Sequence, residues 1–424
     1  MVSAVTRGQA FSRASTKFST SALSEVSMKL VRSAREYNAS GMTWAVKAKG
    51  ERRKAKERRK KKEERGKIRE GVCVFMGSGN IIRTNIRVYY RDSDVIKQIT
   101  IFTGIKQNPI TNMSHKYAVG TDIGGSHISC ALIDLEHQMI LPESRVTLPV
   151  DNKASADEII GVWAEAIGEA ILGIEIGEMA GIGFAMPGPF DYMKGIALFE
   201  RVEKYLGLYG VNVTEGIRKM LKLSPKLSFR YMNDATAFAV GEAWLGSAEG
   251  TRKSVAITLG TGFGSAFIDG GLPVVEREDT PQMGCVWHLP FKEGIADDYF
   301  STRWFVKNYA ALTGETLPGV REIADIARKD PKVAALFVEY GTNAGAFLGE
   351  WLNRFEAEVL VIGGNMAGAA DLFMPAFQRS LDSMDCKTRI AWSELKEDAA
   401  IIGSARLLDP AYWTKIYSLV EKMN

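Results

Sequence analysis

A chain of 424 residues has room for two or more domains, and 46% hydrophobic with 25% charged residues is ordinary for a globular protein, which excludes a collagen-like or wholly disordered chain. No apolar run reaches the length of a membrane span. The net charge of +4 hides an asymmetry: residues 1–112 hold 25 Lys+Arg against 9 Asp+Glu, and the remainder holds 29 against 41.

Residues 1–24 contain no acid and are rich in Ser, Thr, Arg and Lys, the composition of a mitochondrial transit peptide. From Lys49 to Arg69 the run KGERRKAKERRKKKEERGKIR reads as a solvated helix or a nucleic-acid-binding arm. It lacks the interleaved aromatics of a base-stacking surface, and no two adjacent periodic helices form a helix-turn-helix. Met113-Ser-His-Lys-Tyr117 stands where a globular domain starts. Residues 1–112 are therefore read as a basic extension, disordered or helical, from an upstream reading frame, with a targeting or tail role as the other reading. The four cysteines, Cys73, Cys130, Cys285 and Cys386, form no CxxC pair, which points to a reducing compartment, the cytoplasm, and to free thiols.

Tyr117 to Asp134 (YAVGTDIGGSHISCALID) reads as a strand, a turn of Asp122, Gly124, Gly125 and Ser126, and a returning strand. Paired glycines there let backbone N–H groups approach a ligand, making a candidate phosphate cradle. Ser155 is placed to cap a helix with Asp157 and Glu158 in its first turn and Ile159, Trp163, Ile167 and Ile171 on one face. A strand around Gly181–Phe184 runs into Met186-Pro-Gly188-Pro-Phe-Asp191, a loop fixed by two prolines. Leu227–Met232 is a strand ending at Asn233-Asp234, and Ala235 to Leu245 is helical in pattern. A carboxylate at that junction sits where α/β folds bind ligands, although it also suits a helix N-cap. Ser254 to Gly270 repeats the hairpin plan with a turn of Gly260, Thr261, Gly262 and Gly264. Farther on, Thr342–Phe355 is a helix, Glu358–Ile362 a buried strand ending in Gly363-Gly364-Asn365, and Ala400–Leu408 a closing helix.

Asp122-Ile-Gly-Gly-Ser126, Asn233-Asp234-Ala-Thr-Ala and Leu259-Gly-Thr-Gly-Phe-Gly264, in that order, resemble the signatures of the ROK sugar kinases (repressor, open reading frame, kinase) from about Met113 to the C-terminus. The resemblance implies an α/β, two-lobed actin-like ATPase (ribonuclease H-like) fold. One lobe would span 113–233, completed by about 400–424, and the other 234–399. It implies ATP and Mg²⁺, with Asp122 near the metal, both glycine turns on the phosphates, and Gly363, Gly364 and Asn365 at the adenosine. Asp234 becomes the general base toward a sugar hydroxyl, with Asn233, Gly188, His288 and Asp297 as sugar-binding residues. Two departures stand out. The family's zinc-holding cysteine cluster is absent around Gln282-Met-Gly-Cys285, so no structural zinc is expected. Ser126-His127 stands where the family usually has Thr-Lys. The reading is an ATP-dependent kinase for a hexose or N-acetylhexosamine, with a homodimer left open. Its rivals are a sugar-responsive regulator with the same fold and little turnover, and a nucleic-acid-binding protein acting through residues 49–69.

Overall fold

The computed structural model describes residues 2–6, 69–76, 82–92, 95–104, 115–200 and 204–423. The chain divides into two units, residues 1–112 and 113–424. In the first, β1 (Val2–Thr6), β2 (Arg69–Met76), β3 (Ile82–Asp92) and β4 (Val95–Gly104) form an antiparallel sheet in the order β1-β2-β3-β4. This corrects the expectation of a disordered or helical extension at those positions. β-Branched and aromatic residues dominate β3 and β4, which favours a pleated strand over a helix. All of the basic run 49–69 except Arg69 lies outside the described residues.

The second unit repeats one plan twice. β5 (Tyr117–Ile123) and β6 (His127–Asp134) form the first hairpin, extended at its edge by β7 (Met139–Ile140) and β8 (Val146–Pro149). On its other side β5 pairs in parallel with β9 (Met179–Met186). Short ribbon strands β10 (Phe190–Asp191) and β11 (Ile196–Ala197) follow, and β12 (Ser228–Asn233) joins β9 in parallel. In the second sheet β13 (Lys253–Leu259) and β14 (Phe263–Asp269) form the hairpin, and β15 (Leu272–Pro273) extends it. After the ribbon β16 (Pro290–Phe291) with β17 (Gly294–Ile295), β18 (Val359–Gly363) and β19 (Arg389–Trp392) complete the sheet in parallel. Each sheet is therefore a hairpin flanked by two parallel strands. The matching C-terminal ends are where α/β sheets bind ligands.

Helices cover the sheets: α1 (Ala156–Ala170), α2 (Val213–Leu221), α3 (Asp234–Leu245), α4 (Ala296–Phe300), α5 (Thr302–Thr313), α6 (Val320–Ala327), α7 (Pro331–Phe355), α8 (Ala370–Ser383), α9 (Asp398–Arg406) and α10 (Pro410–Val420). α1 begins at the expected cap: Ser155 accepts from the Glu158 N–H while Glu158 accepts from the Ser155 N–H, a full capping box. Ile159, Trp163 and Ile167 are buried as its periodicity requires, and Ile171 is the half-buried C-cap. α7 is longer than expected, starting at Pro331 behind an Asp330 cap.

α9 lies against β5, β9 and α3 with almost no side chain between the backbones. A Cβ on Gly120 would come within 1.9 Å of the Ile401 carbonyl oxygen, and one on Gly183 within 1.9 Å of that of Ser404. The α3–α9 contact is glycine-lined from both sides, Gly241 against Ala399 and Gly403 against Ala237. Among the described residues no helix is long and apolar enough to cross a membrane.

Candidate active site

Residues at or just past the C-terminal ends of β5, β9, β12, β13, β18 and β19 line one cleft of about 1020 Å³, among them Asp122, Pro187, Asp234, Thr258, Gly363 and Trp392. Of the residues expected at a site, Asp122, Gly124, Gly125, Asp234, Gly363, Gly364 and Asn365 are in this lining. Ser126, Asn233, Gly188, Gly260, Thr261, Gly262, Gly264, His288 and Asp297 are not.

Asn233 ends β12 and caps α3, its Oδ1 accepting from the Thr236 N–H at 3.2 Å and from the Thr236 hydroxyl at 3.4 Å. Asp234 is thus the first helical residue and has no capping duty. Its Oδ1 accepts from the Ala235 N–H at 2.8 Å, and the helix N-terminus favours negative charge there. Burial pushes the Asp234 carboxyl upward, and the Ala235 N–H and the Lys204 charge work against that rise. Beside it the Tyr192 hydroxyl donates to the Met186 carbonyl at 3.2 Å, and Asn233 Nδ2 stands 3.5 Å from it. A Cβ on Gly188 would lie 3.4 Å from that hydroxyl. Cys285 acts electrostatically on Tyr192, and its thiol, pushed up to about 11 by burial, lies 3.8 Å from His288 Nδ1. Gly188 and Asn233 therefore meet at Tyr192, and Cys285 and His288 stand side by side. Burial lowers the His288 pKa, and its Nε2 has no partner among the described residues.

Asp297 is engaged elsewhere. Its Oδ1 accepts from the Phe263 N–H at 2.7 Å and its Oδ2 pairs with Arg303, so it braces the second glycine turn. Gly264 differs from expectation as well: it lies inside β14, where a Cβ would come within 2.2 Å of Thr258 Oγ1 and 2.8 Å of Ala235 Cβ. It is a packing glycine under the start of α3.

In both turns the carbonyls are tied back by hydrogen bonds. In the first, the Gly124 carbonyl accepts from the Tyr205 hydroxyl at 2.5 Å, that of Gly125 from Asn152 Nδ2, and that of Ser126 from the Val150 N–H at 2.8 Å. In the second, the Gly260 carbonyl accepts from the Thr302 N–H and hydroxyl, both at 2.8 Å, and that of Gly262 from the Gly260 N–H at 3.2 Å. The N–H groups of Gly125, Ser126, Thr261 and Gly262 have no partner among the described residues. Carbonyls tied back with amides left free leave N–H donors for an incoming ligand. Asn152, Tyr205 and Thr302 escape a sequence reading, because each reaches its turn across the fold.

Asp122, the penultimate residue of β5, lies in the cleft, and burial, then the Asp234 charge, then the Glu397 charge push its carboxyl up to about 7. Since the native state holds this proton more tightly than an unfolded Asp, whose pKa is about 4, Asp122 costs the ligand-free protein stability as pH rises from about 4 to about 7. Asp122→Asn removes that cost. We expect the melting temperature of the variant minus that of the wild type to climb over this range and level off above pH 7, read by calorimetry on both proteins in EDTA. A flat difference would remove Asp122 from the cluster's electrostatics.

The far end of the cleft is built from Gly363-Gly364-Asn365, the start of α8 and residues 392–398. Gly364 takes φ 91°, and a Cβ there would meet the Leu259 carbonyl oxygen at 2.3 Å, so only glycine fits this turn. Residues 392–396 are pinned from α3. Fully buried Glu242 accepts from the Ser393 hydroxyl at 2.5 Å and from the Ser247 N–H at 2.8 Å. The Ser247 hydroxyl donates to the Trp392 carbonyl at 2.7 Å and accepts from the Glu394 N–H at 3.2 Å.

A sequence profile described as "ROK family" matches residues 118–410. A glucokinase of Thermotoga maritima is 27% identical over 318 residues, 68% of this chain and 96% of that protein. Among solved structures, a ROK family glucokinase from Streptomyces griseus in complex with glucose and AMPPNP superposes with a TM-score of 0.55 at 23% identity, covering 69% of this chain and 98% of that one. A ROK family transcriptional regulator, a homolog of the Escherichia coli MLC protein, gives 0.57 at 17% identity, covering 73% and 81%.

Proposed function

Because the chain belongs to the ROK family, we propose that it transfers the γ-phosphoryl group of ATP to a hydroxyl of a hexose or N-acetylhexosamine. The observation that carries this reading is Asp234: a carboxylate at the head of α3, relieved of capping by Asn233, with its basicity raised by burial, between two turns whose amides are free.

Phosphoryl transfer needs the γ-phosphate held in line, its charge neutralised and the acceptor hydroxyl relieved of its proton. The Gly125–Ser126 and Thr261–Gly262 amides hold phosphate oxygens, and the turn at Gly363–Asn365 receives the adenosine. Asp234 accepts the hydroxyl proton, while Asn233 Nδ2, with one 3.5 Å contact, is available to sugar oxygens; His288 Nε2 is a buried nitrogen without a partner among the described residues. Asp122, with no salt-bridge partner among the described residues, would face Mg²⁺ brought in with ATP, and the ion would supply positive charge to the phosphates. Asp297 holds the second turn in shape rather than touching sugar.

The test is a panel of hexoses and N-acetylhexosamines with MgATP, reading ADP. Release above the ATP-only rate with at least one sugar is the expected result, and no release with any sugar overturns it. A sugar-responsive regulator is the second reading. Asp297 occupied by Phe263 and Arg303 favours it, and sugar binding without ADP release would establish it.

The absence of the family's cysteine cluster carries a further expectation. Among the described residues no group of three or more His, Cys, Asp and Glu side chains is placed to hold a metal. EDTA should abolish turnover by removing Mg²⁺ while shifting the melting temperature by no more than about 1 °C, since structural zinc contributes folding free energy outright. Stoichiometric zinc by elemental analysis would contradict this.

A further inference from the structure

Among the described residues three cations line the cleft, Arg145, Lys204 and Lys396. Arg145 is committed, bonded to Glu397 at 3.3 Å and paired with Asp398. Lys204 has no carboxylate within ion-pair distance among the described residues, although it is the cation beside the phosphate cradle. Its side chain lies across Gly125: a Cβ there would come within 2.9 Å of Nζ, 3.1 Å of Cε and 3.3 Å of Cδ. The glycine makes room for the lysine.

The backbone that presents Lys204 is fixed although the side chain is exposed. Tyr205, the next residue, is fully buried, and its ring packs edge-on to Trp163 at 5.5 Å. Its N–H donates to the Asn152 carbonyl at 2.9 Å and its hydroxyl to the Gly124 carbonyl at 2.5 Å. Its φ of 59° is a conformation that non-glycine residues rarely hold without such support. Lys204 is thus carried by the same residues that shape the first turn. Its charge is felt at Asp234.

We propose that Lys204 is a catalytic residue whose ammonium contacts the phosphoryl group in transfer, completing the cradle formed by the Gly125 and Ser126 amides. The inference rests on the phosphotransfer reading. As the sugar oxygen bonds to the γ-phosphorus, the bond from phosphorus to the β,γ-bridging oxygen breaks and ADP leaves with that electron pair. The hydroxyl proton passes to Asp234. Lys204 keeps its own proton throughout and supplies fixed positive charge where negative charge is spread over the equatorial oxygens. The cradle amides carry only partial charge, so this is the full unit of charge that the turn itself lacks.

The test compares wild type, Lys204→Met and Lys204→Arg in the full chain. Lys204→Met should lower kcat on the order of 10²-fold while sugar KM stays within about twofold, the loss expected for one donor aimed at developing charge. In calorimetric titrations with Mg²⁺, its affinity for AMPPNP should fall about tenfold or more and its affinity for ADP hold, because only the former carries a γ-phosphoryl group. Lys204→Arg should recover part of both. Unchanged kcat with an unchanged AMPPNP-to-ADP affinity ratio in Lys204→Met overturns the proposal, as does an equal loss for both nucleotides. Should wild type phosphorylate no sugar, the kinase reading fails, and the AMPPNP-to-ADP ratio alone still decides whether Lys204 reads the γ-phosphate.

Discussion

Asp234→Asn should lose about 10²–10⁴-fold in kcat, the usual contribution of a positioned general base, while nucleotide affinity stays near the wild-type value and the melting temperature is unchanged in acid and equal or higher at neutral pH, where the raised carboxyl costs stability. The separation is expected because the stabilising tasks at this helix start belong to neighbours. Asn233 makes the cap to Thr236, and an Asn at 234 keeps an oxygen for the Ala235 N–H. The substitution removes a proton acceptor and, with it, the charge that helps to push the Asp122 carboxyl up. Because burial raises the Asp234 pKa, the carboxylate form grows with pH, so wild-type kcat should rise from acid toward neutral pH and the residual rate of the variant should lack that limb. Sugar phosphorylation, AMPPNP titration and a thermal melt on the one variant suffice. Retained turnover would show that α3 merely begins at Asp234.

Gly403→Ala carries the largest expected loss of stability. Its added Cβ would stand 1.8 Å from the Ala237 carbonyl oxygen and 2.9 Å from the Gly241 nitrogen, all backbone, so no side chain can swing aside. Overpacking typically costs 1–3 kcal/mol, and separating two helices that touch through their backbones belongs at the top of that range, about 3 kcal/mol. Gly161→Ala is the control: it lies inside α1 with nothing within 4 Å of the new methyl, and should gain about 0.5–1 kcal/mol from helix propensity and a less flexible unfolded chain. Denaturant midpoints of the two variants should move in opposite directions. Equal shifts would mean that the α3–α9 contact yields more easily than its geometry implies.

Local signals carried much of the fold. The Ser155 capping box, the apolar strand before each glycine turn and the Asn233-Asp234 junction each declare themselves within a few residues, since caps, alternation and turns are short-range physics. The start of α7 was legible too, in Asp330-Pro331, but the helix was read only from Thr342. What stayed hidden is long-range. Gly264 looked like part of a turn because glycine spacing cannot tell a φ requirement from a close approach, here to Thr258 and Ala235. Asp297 looked available for sugar because nothing nearby in the chain reveals its bond to Phe263. Lys204 carries no local mark, and only tertiary contact places it on Gly125.

α3 has Asp234 at its first residue and, two turns on, Glu242 holding Ser393 at the far end of the cleft. At 1.5 Å per residue these carboxylates are about 12 Å apart along the axis. On the kinase reading proposed above, the helix is a gauge rod, its far end set against residues 392–396 and its first residue fixing where the base stands. On that reading, a ligand that shifts residues 392–396 would carry α3 and its first residue with them, and the two substrates would be referred to a common ruler rather than positioned independently.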